Sequence, residues 1–250
     1  MVDHPAIVPI EVFDRLESTQ TEALSRLRTG DYGPRWIQAR TQTAGLGRKG
    51  PVWQSLEGNL FASWYQAIEL DLRHMPQLAF VAALSVHDVL RPLVREAARL
   101  RIKWPNDVLY DGHKLCGILV QSAPLETGRT GVVVGIGVNV TSAPKLEAYG
   151  TAALNDIAQA DVSADFLMMR LSHHFQIRFA QWQAGDFGDM AKEWFAVAYG
   201  RDQKCIADEG LITGRMAGLN GDGALLIETE SGVTQAVSSG TVRYQEVSCS

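Results

Sequence analysis

Two cation-bearing segments and one strand nearly stripped of side chains carry the chemistry this sequence offers. Lys114 follows the turn Asp111-Gly112-His113 and opens the apolar run Leu115-Cys116-Gly117-Ile118-Leu119-Val120. A lysine at the mouth of a buried strand either reaches back to water or meets an anion. Arg48 and Lys49 stand in Gln42-Thr43-Ala44-Gly45-Leu46-Gly47-Arg48-Lys49-Gly50, where glycines free the backbone and two cations suit a phosphate or a carboxylate. In Gly131-Val132-Val133-Val134-Gly135-Ile136-Gly137-Val138-Asn139-Val140, side-chain alternation puts Val132, Val134, Ile136, Val138 and Val140 on one face and Gly131, Val133, Gly135, Gly137 and Asn139 on the other. Alternate glycines mark close approach of something flat or of another backbone, with Asn139 set to hydrogen-bond it. Gly117 reads the same way. The implied chemistry is electrostatic: an extended anion whose flat part lies on the glycine face. No metal-ligand cluster, cysteine nucleophile or serine-histidine pair stands at recognisable spacing.

The elements that must position these groups follow from patterning. Residues 101–110 and 113–120 are strand-like and meet through Asp111-Gly112, the pair that accepts positive φ in a two-residue hairpin turn. Pro105 closes the first run, so strand, corner and hairpin follow in order. Residues 11–16 alternate like a strand, and Ser18-Thr19 offers hydroxyl caps to a helix over 20–28. Further strands are expected at 35–40 and 59–67. Apolar residues from Leu78 to Ala97 at three-to-four spacing predict an amphipathic helix over 74–98, kinked or split at Pro92. Residues 123–130 read as a polar loop and 141–162 as irregular. Helices are expected over 163–183 and 187–198. The string Gly45-x-Gly47-x-x-Gly50 matches a dinucleotide fingerprint formally, with Glu69 near the spacing of a ribose-binding acid. Pro51 and the non-periodic run 53–59 leave no helix for a pyrophosphate to cap.

Composition bounds the class. The chain has 250 residues, 46% hydrophobic and 20% charged, with a net charge of -5. That describes an ordinary globular protein with no general electrostatic reason to bind nucleic acid. No stretch approaches the about 18 apolar residues of a membrane span, and the start lacks a signal-peptide pattern. Cys116, Cys205 and Cys249 lack zinc-ligand spacing, and a reducing, cytoplasmic setting is expected. His74 and His87 have no partner at ligand spacing. From Gly200 short β-like runs alternate with turn signals, which divides the chain into a main domain, 1–198, and a docked all-β module, 199–250.

The string Lys103-Trp104-Pro105-Asn106-Asp107 followed by Lys114-Leu115-Cys116-Gly117-Ile118-Leu119 resembles the signature of biotin protein ligases, in the group without an N-terminal DNA-binding domain. Residues 42–50 with Trp53 are similar to that family's ligand-binding loop, Ser18-Thr19 to its first biotin contact, and Gly135–Asn139 to its nucleotide-side strand. The resemblance implies an α+β fold of the class II synthetase-like biotin/lipoate ligase type, a mixed, largely antiparallel sheet flanked by helices, with a small C-terminal SH3-like β module. It also implies a two-step reaction. Biotin's carboxylate attacks the α-phosphate of ATP to give biotinyl-AMP, and a lysine of a biotin carboxyl carrier domain of a carboxylase, such as acetyl-CoA carboxylase, takes the acyl group. Under the resemblance Ser18, Thr19, Gln20, Gln42, Gly45, Leu46, Gly47, Arg48, Lys114 and Gly117 bind biotin. Arg48, Lys49, Trp53, Lys103, Asn106, Lys114 and Asn139 bind the nucleotide, and Mg2+ arrives with ATP rather than in a protein metal site. Lys114 and Arg48 are the expected catalytic cations. Asp107 is expected to orient the incoming amine, with a structural turn acid as the other reading. Leu46 and Pro51 stand where the family pattern has arginines, and Gln121 where it has an acid. A lipoate-protein ligase, a biotin-responsive DNA-binding regulator and a non-catalytic biotin-binding module are the rivals. The acidic charge and the lack of a helix-turn-helix before the first strand argue against the regulator. A homodimer is left open.

Overall fold

The computed structural model describes residues 7–48, 52–146, 149–201, 203–207 and 210–245. Lys49 and Pro51 lie outside the described residues, as does Cys249. Seven strands, β1 (Ile10–Leu16), β2 (Arg35–Gln42), β3 (Leu60–Ile68), β4 (Leu100–Lys103), β5 (Asp107–Tyr110), β6 (His113–Pro124) and β7 (Thr130–Val138), form one sheet. Its spatial order is β1-β2-β3-β7-β6-β5-β4. The β1–β2 pair is parallel and the others are antiparallel. The helices are α1 (Thr19–Arg28), α2 (Gln77–Leu90), the single turn α3 (Leu154–Ile157), α4 (Ala164–Gln183) and α5 (Phe187–Ala196). The mixed, largely antiparallel sheet flanked by helices is the expected class.

The two faces of this sheet are treated differently. Val132, Val134, Ile136 and Val138 of β7 join the main core, into which α2 and α4 deliver Val81, Leu90, Leu167 and Phe175. Trp64 sits in that layer with its ring 5.0 Å from Phe175 and 4.7 Å from Phe179. Aromatic pairs at this separation add to the area they bury. Of the described helices, α1 covers the opposite face, its Ala23 and Leu27 packing on Ile37, Tyr65, Ala67 and Val133. This ten-residue helix covers one end of that face and leaves the other end without a helix over it. Ser18 caps α1, accepting hydrogen bonds from the backbone N–H groups of Gln20 and Thr21.

The hairpin between β5 and β6 turns at Asp111 and Gly112, with φ of 51° and 77°. β6 lies inside the sheet between β5 and β7, as its two apolar faces require. Several boundaries differ from the sequence reading. The helix expected over 74–98 ends at Leu90 because Pro92 has no N–H to continue it, and only short 3-10 turns flank it, at Leu72–His74 and Ala97–Arg99. The loop expected over 123–130 shrinks, since Ala123 pairs with Gly131 and Pro124 with Thr130. The irregular stretch 141–162 contains α3. The last helix stops at Ala196, two residues early.

Beyond α5 a five-stranded antiparallel sheet holds β8 (Lys204–Ala207), β9 (Ile212–Leu219), β10 (Leu225–Thr229), β11 (Thr234–Val237) and β12 (Arg243–Tyr244), in the order β11-β10-β9-β8-β12. Cys205, Leu225 and Ile227 extend the main core into it. Backbone hydrogen bonds pin the entering chain to β4, from Ile102 N to Val197 O and from Tyr199 N to Ile102 O. Gln77 of α2 donates to Gly221 O at 2.5 Å.

One buried side chain ties the start of β3 to the exit of β7. Asn59 Oδ1 accepts from the backbone N–H groups of Val140, Thr141 and Ser142 at 2.9, 2.9 and 3.2 Å, while its amide donates to Ser142 O at 2.8 Å. Removing the side chain strands the buried Val140 donor and two part-buried ones, and a buried donor is costly to leave unmade. Asn59→Ala is expected to destabilise the fold by about 3 kcal/mol. Urea denaturation checks this: the midpoint falls and the slope stays constant.

Candidate active site

At the uncovered end of the second face lies a cavity of about 300 Å³. Its inner end is a relay of uncharged polar groups. Thr19 N donates to Gln42 Oε1 at 2.8 Å, and the Thr19 hydroxyl lies 2.8 Å from Ser63 Oγ. Ser63 in turn donates to Gln20 Oε1 at 3.1 Å, and Gln20 Nε2 donates to Leu119 O at 3.3 Å. Leu119 O fixes which end of the Gln20 amide faces Ser63, so the relay has a direction. All of Ser18, Thr19, Gln20 and Ser63 are buried. Ser63 was absent from the residues singled out in the sequence. Its signal was a small hydroxyl inside the apolar run Leu60–Ile68, opposite Gly135 in the β3–β7 register.

The glycine face has two side chains lying on it. A Cβ built on Gly135 would sit 2.4 Å from Gln20 Oε1. On Gly137 it would sit 2.6 Å from Trp53 Cε2, and on Gly117 2.7 Å from Trp53 Cζ3. The flat group close to these glycines is therefore the Trp53 indole. Trp53 hangs on a backbone hydrogen bond to Gly45 O of 2.9 Å. No helix follows the 45–48 glycines among the described residues; Leu46 and Val52 instead form an isolated antiparallel bridge.

Charge gathers at the outer end. Lys114 Nζ pairs with Asp107 Oδ1 at 2.8 Å and lies 5.5 Å from the Trp53 ring and 5.6 Å from the Tyr149 ring. Both members of the ion pair are mostly buried, so the cation stays close to the cavity rather than in bulk water. Arg48 lines the cavity and donates to Gly240 O at 3.3 Å, and Thr241 of the same turn joins the lining. Burial pulls the Arg48 pKa below its usual value and Asp107 opposes that pull; an arginine so placed remains a cation at neutral pH. The five-stranded module thus supplies part of the wall.

The remaining candidates fall into distinct places. Leu46 and Gly47 line the mouth, and Gly45 lies behind Trp53. Asn106 lines the cavity while its amide donates to Ile118 O at 2.7 Å, which holds the Pro105 corner against β6. Lys103 is outside the lining, with its ammonium 5.9 Å over the Tyr244 ring. Asn139 is buried and its amide donates to Lys114 O and Ala152 O at 3.3 and 3.2 Å. It borders a second pocket of only about 30 Å³ on the far side of Trp53. Lys49 falls outside the described residues. Cys116 is buried and burial raises its thiol pKa, so it packs as a small apolar group. Among the described residues no three His, Cys, Asp or Glu side chains come together to hold a metal ion.

This arrangement suits a small acid with a neutral polar head. Thr19, Gln20, Gln42 and Ser63 offer uncharged hydrogen-bonding groups at one end, and Lys114 and Arg48 offer positive charge at the other. Residues 12–139 match the Biotin/lipoate A/B protein ligase family, and residues 206–243 match the Biotin protein ligase C terminal domain. The chain is 35% identical over 225 residues to the biotin--[acetyl-CoA-carboxylase] ligase of Paracoccus denitrificans, covering 87% of this chain and 93% of that protein. It is 30% identical over 237 residues to the bifunctional ligase/repressor BirA of Bacillus subtilis, covering 90% of this chain and 71% of that protein. The biotin protein ligase from Aquifex aeolicus, solved in complex with biotin and ATP, superposes with a TM-score of 0.79 over 95% of this chain and 99% of that one. At 24% identity that likeness speaks for the fold. A family match across half of the sequence, joined to a relative aligned over nearly its whole length, makes this chain a member of the biotin/lipoate A/B protein ligase family.

Proposed function

We propose that this protein joins biotin to a lysine of a biotin carboxyl carrier domain, using ATP and passing through biotinyl-AMP. The carrying observation is the polarity of the cavity, with the Thr19–Ser63–Gln20 relay at one end and Lys114 and Arg48 at the other. The relay suits a cyclic urea, which presents both N–H donors and a carbonyl acceptor. The relatives' names favour biotin over lipoate.

The first step brings two anions together. A carboxylate oxygen forms a bond to the α-phosphorus of ATP while pyrophosphate leaves. Lys114 and Arg48 neutralise carboxylate and phosphate as charge shifts between them, and preorganised cations in a site shielded from water are worth most there. In the second step a deprotonated lysine ε-amine attacks the acyl carbon and AMP leaves. Asp107, paired with Lys114 at 2.8 Å, orients that amine in this scheme. Asn106 holds the corner, Trp53 borders the purine, and Lys49, Lys103 and Asn139 complete the proposed nucleotide set. Mg2+ commonly binds through phosphates and one or two carboxylates while keeping its waters. Asp107, the carboxylate in the lining, fits an ion that arrives on ATP, where it would neutralise phosphate charge. The carrier is that of a carboxylase such as acetyl-CoA carboxylase, and the setting is cytoplasmic. No described helix is long and apolar enough to cross a membrane. The division into 1–198 and 199–250 belongs to the same proposal.

Exchange of labelled pyrophosphate into ATP is expected with biotin and not with lipoate; exchange with lipoate alone would overturn the assignment. Lys114→Ala is expected to slow single-turnover adenylate formation at least about a hundredfold, the scale of losing one preorganised charge stabiliser. A near-normal rate would remove Lys114 from the step. Arg48→Gly is expected to speed release of biotinyl-AMP about tenfold, equivalent to about 1.4 kcal/mol. Rapid dilution of the preloaded protein into unlabelled ligand measures that rate.

A further inference from the structure

The two outermost strands of the large sheet are finished differently. The outer edge of β4 is covered by the 197–199 segment, through the hydrogen bonds from Ile102 N to Val197 O and from Tyr199 N to Ile102 O. At the other end β1 pairs only with β2, in a register that runs from Ile10 to Leu16 without a bulge. Pro9 O accepts from Trp36 N and Glu17 O from Ala44 N. The odd-numbered residues between them therefore turn their backbone groups to β2, and the N–H and C=O groups of Val12 and Asp14 point away from the sheet, where no described strand pairs with them. Such a row is a template for another strand. No proline interrupts Ile10–Leu16, Val12 is 47% exposed and the Asp14 side chain is fully exposed. Charges on an edge ordinarily discourage pairing, but those of β1 are distributed so that they match one another in a single register.

We propose that the free edge of β1 joins two copies of this chain, antiparallel about a two-fold axis through Phe13. The outward backbone groups belong to even-numbered residues, so these must form the hydrogen-bonded pairs, and few registers remain. With the axis at Phe13, Glu11 lies opposite the partner's Arg15, Val12 opposite the partner's Asp14, Ile10 opposite the partner's Leu16, and Phe13 opposite its own copy. Two opposite-charge pairs thus flank an aromatic pair, and cross-strand pairs of both kinds stabilise a ladder. An axis at Asp14 would set Asp14 against its own copy and Glu11 against Glu17, while an axis at Val12 would set Glu11 against Phe13 and Ile10 against Asp14. Arg26 already holds the Glu11 carboxylate on the α1 face, at 2.5 and 3.0 Å, and its guanidinium lies 5.7 Å from the Phe13 ring. The acceptor for Arg15 is in place before the copies meet. The axis stands perpendicular to the sheet, so α1 and the cavity lie on the same side in both copies. Beyond β1 the carbonyls of Leu16 and Glu17 hold Thr43 and Ala44 at the base of the glycine loop, so interface and cavity share that end of the strand.

The test uses the full chain carrying Cys249→Ser, which leaves the buried Cys116 and Cys205, and follows disulfide formation under mild oxidation. In the proposed register residues 12 and 14 of different copies form a hydrogen-bonded pair with Cα atoms about 5.5 Å apart, within reach of a disulfide. Two copies of residue 12, or two of residue 14, stand on the diagonal at about 7–8 Å, beyond that reach. Val12→Cys mixed with Asp14→Cys is therefore expected to cross-link, and neither variant alone. Both side chains are exposed and outside the cavity lining, so the fold does not depend on them. Sedimentation of the unsubstituted chain is expected to show a concentration-dependent dimer. Arg15→Glu sets like charges opposite each other at both ends of the ladder and is expected to raise the dissociation constant about tenfold. A chain that stays monomeric at every concentration overturns the inference. A dimer that Arg15→Glu leaves unchanged, and whose mixed cysteine variants do not cross-link, also overturns it by placing the interface elsewhere.

Discussion

The structure depends on a strand face from which side chains are missing. β7 is flanked on both edges by long antiparallel partners, so its backbone cannot move to make room for a ligand. Space on its second face comes from composition alone, through Gly135 and Gly137, with Gly117 beside them on β6. The valine and isoleucine positions between these glycines anchor the same strand in the main core. Rigidity and vacancy are thereby combined in one element, which is what a site needs if binding energy is to go into orientation rather than reorganisation. Glycine weakens strand interiors, and here two fully paired neighbours and a deep apolar layer offset that weakness.

The second constraint is electrostatic. A lysine and an arginine kept near a cavity with nothing to balance them would repel each other and favour withdrawal to water. Asp107 balances Lys114 directly at 2.8 Å, and a backbone carbonyl, Gly240 O, takes the Arg48 guanidinium. The two solutions differ in kind. Lys114 has a full counter-charge in direct contact within its own hairpin, whereas the Arg48 guanidinium hydrogen-bonds a main-chain carbonyl beside the C-terminal sheet and feels Asp107 through space. Arg48 is consequently the cation with more to gain from an incoming anion. It is also the one whose position depends on how that sheet docks. The contacts of Gln77 with Gly221 and of the 197–199 segment with β4 therefore bear on the site as well as on the fold.

Much of this was legible in the residues. Strand alternation in 131–140, the Asp-Gly turn and the hydroxyl cap at Ser18 each express a local rule with one strong solution, and the corresponding elements formed. The break expected at Pro92 formed, because the backbone donor that a helix needs there does not exist; what the apolar spacing overstated is the helix beyond it, where only a short 3-10 turn follows. Ser63 escaped notice because a single serine in an apolar strand has no local meaning. Its role appears only when β3 is laid beside β7 and α1 delivers Thr19 and Gln20 across it. Lys103 and Asn139 show the same limit. Their types suit a nucleotide, but Lys103 rests over Tyr244, 141 positions away in a different sheet, and the Asn139 amide holds two main-chain carbonyls.

The departures from the family pattern are best understood by asking which atoms each position uses. Leu46 forms a backbone bridge with Val52 and leaves its side chain partly exposed at the mouth. An arginine there would add a cation, yet the bridge would be unchanged, because the main chain makes it. Gln121 lies on β6 opposite Val133, outside the cavity lining, and its Oε1 is buried without a partner. An acid at that position would leave a charge where the amide leaves only a dipole, and an unpaired buried charge costs far more. The neutral residue thus fits this chain's surroundings, where no cation among the described residues pairs with the Gln121 oxygen. Both departures spare the parts that geometry makes indispensable, the glycine face and the Lys114–Asp107 pair.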